Sequence, residues 1–379
     1  MSEQQAASAA ERRRGGGLAF RLGGIPVSMP WSGLLGIGII AWFWHDALGA
    51  DRSQPLEVLV LALTFSVLFY LSILGHELGH AWSARLFGYP VHSITLWVFG
   101  GYTSFERRIS SAWRDGVISA SGPVSSVLIG VLWWVLARSP FATDPRVEGV
   151  ALALAVSNVF LGIWNALPGL PLDGGSVLRS VIWGVTGDEH RATVIAAWAG
   201  RVVAVGVFFV PLAFLWSRGQ QPDLFSFVFS GLIAAYLFAG ASDALKRARL
   251  MSRVPALQAR ALVRPAVVVP HDLPLSEALR RLEEAGARAV AVADSSGHVM
   301  AVAQEDAVSA VPLERRPWVP VSSVAATLDP SARLHVALGG DLLLRAMQDV
   351  PANDYAVHDD TGTVVGILTT KDVEKALGV

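Results

Sequence analysis

The chain has 379 residues, of which 53% are hydrophobic and only 16% are charged, and its mean hydropathy is +0.47. Soluble domains usually carry about 25% charged residues, so this composition indicates a membrane protein. The 30 basic and 31 acidic residues leave a formal net charge of −1, and without a basic excess a nucleic-acid partner is not expected. Cysteine is absent, which excludes disulfides and cysteine-ligated metals. A metal ion would have to be bound by His, Asp or Glu.

The first 16 residues are polar and include three consecutive arginines followed by glycines. They lack the apolar core of a secretory signal, so we predict a flexible cytoplasmic tail over residues 1–16. Six apolar stretches follow, each close to the length of about 20 residues that crosses a bilayer. They cover Trp31–Ala47, Val58–Leu78, Val117–Leu136, Val150–Leu167, Val194–Trp216 and Phe225–Ala244.

The distribution of basic residues predicts the orientation of these spans. Arginine and lysine cluster before the first span, in the loops after the second and fourth spans, and after the sixth. Because basic loops stay in the cytoplasm, both termini are predicted to be cytoplasmic. The expected fold is a multi-pass α-helical protein of the cell membrane, with about six transmembrane helices in residues 17–250 and a soluble α/β domain after them.

The second span ends in the sequence Gly75-His76-Glu77-Leu78-Gly79-His80. A spacing of four puts both imidazoles on one face of a helix, where they can bind a single Zn²⁺. Glu77 lies beside the first histidine and can act as general base toward the attacking water. Ionisable residues within an apolar span are costly unless they serve a function. The alternative is that the histidines lie at the cytoplasmic helix end, where imidazole suits the helix dipole.

The fourth span is followed by the segment NALPGLPLDGG, residues 165–175. Its prolines break a helix and its glycines permit unusual backbone angles. Irregular backbone at membrane depth is tolerated where it is buried in protein or lines a cavity. Asp173 lies in this segment at the predicted depth of His76 and His80, and the three side chains would leave a fourth metal position for water. The alternative is a polar turn in which Asp173 caps the next helix.

Together these motifs resemble those of the site-2 protease family of intramembrane zinc metalloproteases, peptidase family M50. That family combines HExxH on one membrane helix with an Asn…Pro…Leu-Asp-Gly element on a later one. Two further elements occur in the family's order. Phe99–Tyr102 is similar to its glycine-containing membrane-associated hairpin, and Gly122–Ser126 is similar to its GxxxN/S/G element. The resemblance covers roughly residues 15–245.

The resemblance implies that His76, His80 and Asp173 bind one Zn²⁺ per chain. It further implies that Glu77 is the catalytic base and that Asn165 helps to hold the substrate or the oxyanion. The implied activity is that of a membrane metalloendopeptidase that hydrolyses peptide bonds in or near transmembrane segments, in regulated intramembrane proteolysis. The implied substrates are single-pass membrane proteins such as anti-sigma factors.

A helical substrate hides its scissile bond within hydrogen bonds and must unwind locally. An extended substrate could then be held by strand addition to an exposed sheet edge. His92–Phe105 is the candidate for this edge. The alternative for this segment is an ordinary interfacial loop.

After about Arg253 the pattern changes to strands and short amphipathic helices, and the order helix, strand, turn, strand, helix occurs twice. The two predicted copies cover about residues 254–315 and 318–379. The clearest predicted elements are the helix Leu275–Ala285, the strands Ala287–Ala293 and Val299–Ala303, the helix Leu342–Met347, the strands Asp354–Val357 and Val364–Leu368, and the helix Thr370–Leu377.

This part resembles a tandem pair of cystathionine-β-synthase (CBS) domains. In that family the positions of Thr369 and Asp372 often contact the ribose of an adenine nucleotide; the alternative is that they cap the last helix. The resemblance implies a regulatory module that binds an adenine nucleotide, or one that forms a homodimer. A rival function for the whole chain is a catalytically silent membrane sensor or scaffold that responds to adenine nucleotides. The intact set of metal-binding residues and general base, His76, His80, Asp173 and Glu77, argues against it.

Overall fold

The computed structural model describes residues 16–48, 55–98, 100–105, 111–140 and 142–378. Residues 1–15 of the predicted tail and Phe99 of the predicted hairpin lie outside the described residues. The chain forms two compact units, Met1–Lys246 and Arg247–Val379. The domain boundaries expected from the sequence, 17–250 and 254–379 with a division near residues 315–318, stay predictions.

The first unit combines long helices with one small sheet. Its helices are α1 (Trp31–Leu48), α2 (Pro55–Leu86), α3 (Ala112–Ala137), α4 (Pro145–Asn165), α5 (Asp173–Thr186), α6 (Glu189–Ser217) and α7 (Leu224–Arg253), the last of which ends in the second unit. Its strands are β1 (Gly17–Leu22), β2 (Ile25–Pro30), β3 (Val91–Trp97) and β4 (Gly100–Phe105).

Five of these helices, α2, α3, α4, α6 and α7, are long and apolar enough to cross a membrane. Each coincides with one of the predicted spans. The first predicted span coincides with α1, which is not among these five within the described part of the chain, so the count of six is not confirmed. The expected fold class, a multi-pass helical membrane protein followed by an α/β domain, is confirmed.

Local sequence explains where the helices of the first unit begin and end. Asp144 caps α4 by accepting a hydrogen bond from the backbone N–H of Arg146 at 2.8 Å, with a proline at the first helical position. Asp188 caps α6 in the same manner, because its side chain accepts from the N–H of Arg191 at 2.9 Å. These caps satisfy backbone donors that helix starts leave free.

The sheet of the first unit has the strand order β1-β2-β3-β4, with β2 and β3 parallel and the outer pairs antiparallel. Alternate residues of β2 and β3 are buried and pack in one cluster with Tyr70, Ile73 and Leu74 of α2. In the described part of the chain β4 pairs only with β3, so it is an edge strand. The predicted edge at residues 92–105 is therefore a hairpin that contains a sheet edge, and the loop alternative is wrong. Strands β1 and β2 were not predicted.

The second unit is an α/β domain with a seven-stranded sheet of order β8-β7-β6-β5-β11-β10-β9. The strands are β5 (Arg264–Pro270), β6 (Ala289–Ala293), β7 (Val299–Ala303), β8 (Ala325–Thr327), β9 (Arg333–His335), β10 (Asp354–His358) and β11 (Val364–Thr369). The helices are α8 (Ala259–Leu262), α9 (Leu275–Glu284), α10 (Glu305–Ser309), α11 (Gly340–Asp349) and α12 (Thr370–Leu377).

The repeat predicted in this unit is present. The clearest predicted helices and strands all occur within two residues of their predicted bounds. The order helix, strand, strand, helix appears as α9-β6-β7-α10 and again as α11-β10-β11-α12. Strand β5 pairs with β6 of the first copy and β11 of the second, and it thereby joins both copies into one sheet.

Candidate metal centre

Helix α2 carries His76, Glu77 and His80, whose exposed fractions are only 5%, 6% and 8%. The helix continues to Leu86, beyond both histidines. They therefore do not lie at a helix end, and the capping alternative for them is wrong. Buried ionisable side chains need partners or a bound ion to offset the loss of hydration.

The two histidines meet Asp173 at one point. The Nε2 atom of His76 lies 3.1 Å from Oδ2 of Asp173, the Nε2 atom of His80 lies 3.3 Å from the same oxygen, and the two Nε2 atoms are 3.3 Å apart. Tetrahedral zinc with bonds of about 2.0–2.1 Å separates its ligand atoms by about 3.3 Å. The three side chains thus fit a single ion of this type. Within the described ranges this is also the one His/Asp/Glu group with metal-binding spacing.

Helix α3 fixes the orientation of both imidazoles through hydrogen bonds to their Nδ1 atoms. Nδ1 of His80 donates to the carbonyl oxygen of Ile118 at 2.7 Å, and Nδ1 of His76 hydrogen-bonds to Oγ of Ser126 at 2.9 Å. Because a carbonyl only accepts, Nδ1 of His80 carries the proton and Nε2 keeps a lone pair for a metal. Gly122 lies between these two contacts, and a Cβ there would overlap Nε2 of His80 and come within 2.7 Å of Nε2 of His76.

Asp173 is the first residue of α5, and Leu172 is the N-cap, so Asp173 does not cap this helix as the alternative supposed. The preceding loop is anchored by its leucines. The N–H of Leu170 donates to the carbonyl of Ala196 at 3.1 Å, and Leu170 packs in a buried cluster with residues of α6 and α7. Leu172 packs in a second cluster with Ala204 and Leu237. These contacts hold the carboxylate against the histidines.

A buried ion pair joins α3 to α5 and was not predicted. Nη2 of Arg179 donates to Oδ2 of Asp115 at 2.5 Å, and Oγ of Ser180 donates to the same oxygen at 2.6 Å. The two charged side chains are only 14% and 6% exposed. The pair therefore ties the helix that orients the imidazoles to the helix that carries Asp173. A sequence signal did exist, because both charges border apolar segments.

Glu77 is held by the edge strand of the sheet. Oε2 of Glu77 accepts a hydrogen bond from Oγ1 of Thr103 in β4 at 2.6 Å. Thr103 lies within the segment predicted as a substrate-binding edge, but no role was predicted for its side chain. The sequence does not indicate which residue of that segment would face α2.

Asn165 is the last residue of α4, and its Nδ2 donates to the carbonyl of Leu161 at 3.0 Å. Within the described ranges, no hydrogen bond joins Asn165 to the two histidines, Asp173 or Glu77. Its role in holding substrate or oxyanion stays a prediction.

In the second unit, Thr369 is the N-cap of α12 and its Oγ1 accepts from the N–H of Asp372 at 3.2 Å. The carboxylate of Asp372 accepts two hydrogen bonds from Arg264, at 2.8 and 2.9 Å. Partial burial raises the pKa of Asp372, but hydrogen bonds from Arg264 and Thr369 hold that pKa below its usual value. The capping alternative describes these contacts, and nucleotide binding by Thr369 and Asp372 stays a prediction.

Similarity to known proteins covers both units. Residues 64–144 and 141–209 match the profile of Peptidase family M50, and residues 259–302 match that of the CBS domain. Rip3, a Mycobacterium tuberculosis protein that carries the name of a zinc metalloprotease, is 32% identical over 374 residues, which cover 95% of this chain and 92% of Rip3. The chain belongs to peptidase family M50. This membership confirms the family resemblance and the prediction of a metalloprotease.

Two other proteins are similar to this chain over much of its length. The Synechocystis protein sll0528, also named a zinc metalloprotease, is 26% identical over 369 residues, which cover 93% of each chain. The solved structure of a site-2 protease from Methanocaldococcus jannaschii covers 61% of this chain and 95% of its own, with 21% identity and a TM-score of 0.41. The CBS match covers part of the first of the two predicted copies.

Proposed function

We propose that this member of family M50 is an intramembrane zinc endopeptidase in which His76, His80 and Asp173 hold the metal and Glu77 is the general base. One observation carries the proposal. Three ligand atoms from two separate helices lie within 3.3 Å of one another, in a site that buries both imidazoles. The complete ligand set offers no support for a catalytically silent scaffold.

The donor set suits zinc, because two imidazoles and one carboxylate leave a fourth position open, as catalytic zinc sites require. Bound there, zinc would supply a Lewis acid that activates water and polarises the scissile carbonyl. Ser126 and Ile118 keep the imidazoles oriented, and the Asp115–Arg179 pair keeps α5 against α3. These contacts are in place before a substrate binds, so the ligand side chains are already oriented, as in other preorganised sites.

Glu77 is the group that moves protons in this proposal. Its carboxylate accepts a proton from the attacking water and then donates it to the leaving amine, which is general base and general acid catalysis by one residue. Glu77 follows His76 directly and precedes His80 by three residues along α2, so it lies on the same stretch of helix as both histidines. Asn165, one loop away from Asp173, is proposed to hold the substrate or the oxyanion.

The substrate is proposed to bind as an extended strand along β4. The outer edge of β4 is unpaired as far as the structure describes the chain, and edge strands offer free N–H and C=O groups for strand addition. A transmembrane helix would therefore unwind locally before cleavage. The substrate class proposed is single-pass membrane proteins, for instance anti-sigma factors, cut in regulated intramembrane proteolysis.

The distribution of basic residues supports the proposal that both termini are cytoplasmic and that the protein crosses the cell membrane several times. We further propose that the second unit regulates cleavage as a CBS pair, through an adenine nucleotide or through a homodimer. The carboxylate of Asp372 accepts two hydrogen bonds from Arg264. A ribose hydroxyl that bound there would therefore share the carboxylate with this guanidinium.

The deciding experiment measures cleavage of a single-pass model substrate in liposomes together with zinc content. We expect Glu77→Gln to retain zinc and lose cleavage, because only the base is removed. Asp173→Ala should lose much of both. Glu189→Gln, an exposed substitution at the start of α6, is the matched control and should cleave like the wild type. Equal turnover by all four proteins would reject the proposed function.

A further inference from the structure

Thr103 lies at the centre of the edge strand β4, and its side chain contacts that of Glu77. Its partner across the hairpin is Ile94, and the partner of Gly101 is Leu96. Both partners are buried, with exposed fractions of 0% and 2%. Because side chains alternate along a strand, positions 101 and 103 point to the same face of the sheet, the face that packs on α2.

The contacts of Glu77 agree with this alternation. Oγ1 of Thr103 lies 2.6 Å from Oε2 of Glu77 and 3.2 Å from its carbonyl oxygen. A Cβ at position 101 would come within 2.7 Å of the Glu77 carboxyl carbon, so only glycine leaves room there. The carboxyl group thus lies beneath residues 101 and 103. Its Oε1 accepts no hydrogen bond from any described residue.

We propose that Thr103 is a positioning residue that couples a bound substrate strand to the catalytic base. This inference rests on the proposed function. Thr103 donates its hydroxyl hydrogen to Oε2 of Glu77. The other carboxylate oxygen, Oε1, is then the one that takes the proton from the attacking water and gives it to the leaving amine. Thr103 itself neither gains nor loses a proton in the reaction.

The coupling follows from the two edges of β4. One edge pairs with β3, and the outer edge pairs with no strand among the described residues, so an extended polypeptide could bind there. A substrate strand on the outer edge would hydrogen-bond to the backbone of the same strand that holds Thr103 against Glu77. The position of the substrate backbone and that of the base are therefore fixed by one strand. The ligand class this favours is an extended peptide segment rather than an intact helix.

The substitution Thr103→Val separates this role from simple packing. Valine keeps the β-branched shape that suits a strand but removes the donor to Oε2. Hydrogen bonds to charged groups contribute enough that kcat should fall about 10- to 100-fold, while KM should stay within about twofold of its wild-type value. Thr103→Ser restores the hydroxyl and should recover kcat to within about threefold of the wild type.

The matched control is Thr193→Val, in α6. The hydroxyl of Thr193 donates to the carbonyl oxygen of Glu189 at 2.8 Å and not to Glu77. This variant undergoes the same chemical change outside the hairpin, so its kcat should remain within about twofold of the wild type. Zinc content should be unchanged in both valine variants, because neither residue is a ligand.

The experiment measures kcat, KM and zinc per chain for the zinc-loaded full chain in liposomes, with a single-pass model substrate. A kcat loss specific to Thr103→Val and rescue by Thr103→Ser support the proposal. If Thr103→Val matches the wild type while Glu77→Gln is inactive, the positioning role is wrong and the proposed function stands. Equal losses in the valine and serine variants indicate packing and also overturn it.

Two further outcomes are decisive. If the wild type and Glu77→Gln do not differ in turnover, both the proposed function and the role of Thr103 are overturned. If Thr103→Val cannot be reconstituted, Thr103→Ala takes its place, with the same expected loss of kcat at unchanged zinc content and the same contradicting result.

Discussion

The metal centre of the first unit and the Thr369–Asp372 site of the second unit were both predicted from motifs, but their polar atoms are used differently. At the metal centre the ligand atoms converge on one point, and the hydrogen bonds from α3 go to the Nδ1 atoms of the imidazoles and not to the Nε2 atoms. In the second unit the carboxylate of Asp372 is already bound by Arg264 and by Thr369. A motif identifies chemical groups, whereas the surrounding contacts decide whether those groups remain available.

The largest effect is expected when one histidine is replaced in each unit and the two variants are compared. His80→Ala removes a ligand and should reduce cleavage about 1,000-fold or more, with loss of zinc. His271→Ala, at an exposed position of the second unit, should leave both quantities within twofold or so. Cleavage rates and metal analysis of the two variants check this. A zinc-loaded, active His80→Ala protein would contradict the assignment.

The next effect concerns the buried ion pair that supports the metal centre. Asp115→Asn leaves the guanidinium of Arg179 buried without a counter-charge, which should cost about 3–5 kcal/mol of unfolding free energy. Asp243→Asn breaks an exposed pair with Lys246, whose side chains are 56% and 75% exposed, and should cost less than about 1 kcal/mol. Unfolding in detergent measures both. Similar losses would show that the buried pair has no special role.

A third prediction tests the close approach of α3 to the ligand atoms. Gly122→Ala places a methyl group against both Nε2 atoms and should weaken zinc binding by about 10- to 100-fold, as changes beside metal ligands do. Gly206→Ala in α6 is the control, because a Cβ there meets no atom within 4 Å. The zinc affinities of the two variants are measured by competition with a chelator. Unchanged affinity in Gly122→Ala would mean that α3 can move aside.

The smallest effect is expected in the second unit and depends on pH. The pKa of Asp372 is lowered in the folded chain, so the ionised carboxylate stabilises the fold above its unfolded pKa of about 3.9. That stabilisation is lost as the pH falls through the lower folded-state pKa. The difference in unfolding temperature between wild type and Asp372→Asn should therefore shrink between pH 6 and pH 3.

Asp341→Asn is the control for this pH series, because the Asp341 side chain is 72% exposed and lies 4.0 Å from its nearest cation. It should show no comparable change with pH. A difference for Asp372→Asn that stays constant down to pH 3 would contradict the contribution of the Arg264 pair. Glu305 also contacts Arg264, at 3.0 Å.

Local patterns in the sequence were sufficient for the five long apolar helices, for the clearest helices and strands of the repeat and for the HExxH spacing, because these depend on residues a few positions apart. The helices α5 and α8 were not predicted. The convergence of Asp173 on the histidines was predicted from its expected depth in the membrane and from the family resemblance. The contacts that support the site were not predicted. Thr103 is 26 residues from Glu77, and Arg179 is 64 from Asp115.

The same reason explains what was missed in the second unit. Arg264 is 108 residues from Asp372, and only the pairing of β5 with β11 brings them together. Strands β1 and β2 were missed because residues 17–30 form a short, largely apolar segment directly before the first predicted span. Periodicity describes one element at a time, and it carries no information on which distant element will pack against it.

The most direct test of the central claim is X-ray absorption at the zinc edge, on the zinc-loaded Glu77→Gln protein. We predict one zinc per chain with two imidazole ligands and oxygen ligands, at bond lengths of about 2.0–2.1 Å. We also expect Asp173→Ala to change the oxygen shell. A spectrum with fewer than two imidazoles, or one that Asp173→Ala leaves unchanged, would contradict it.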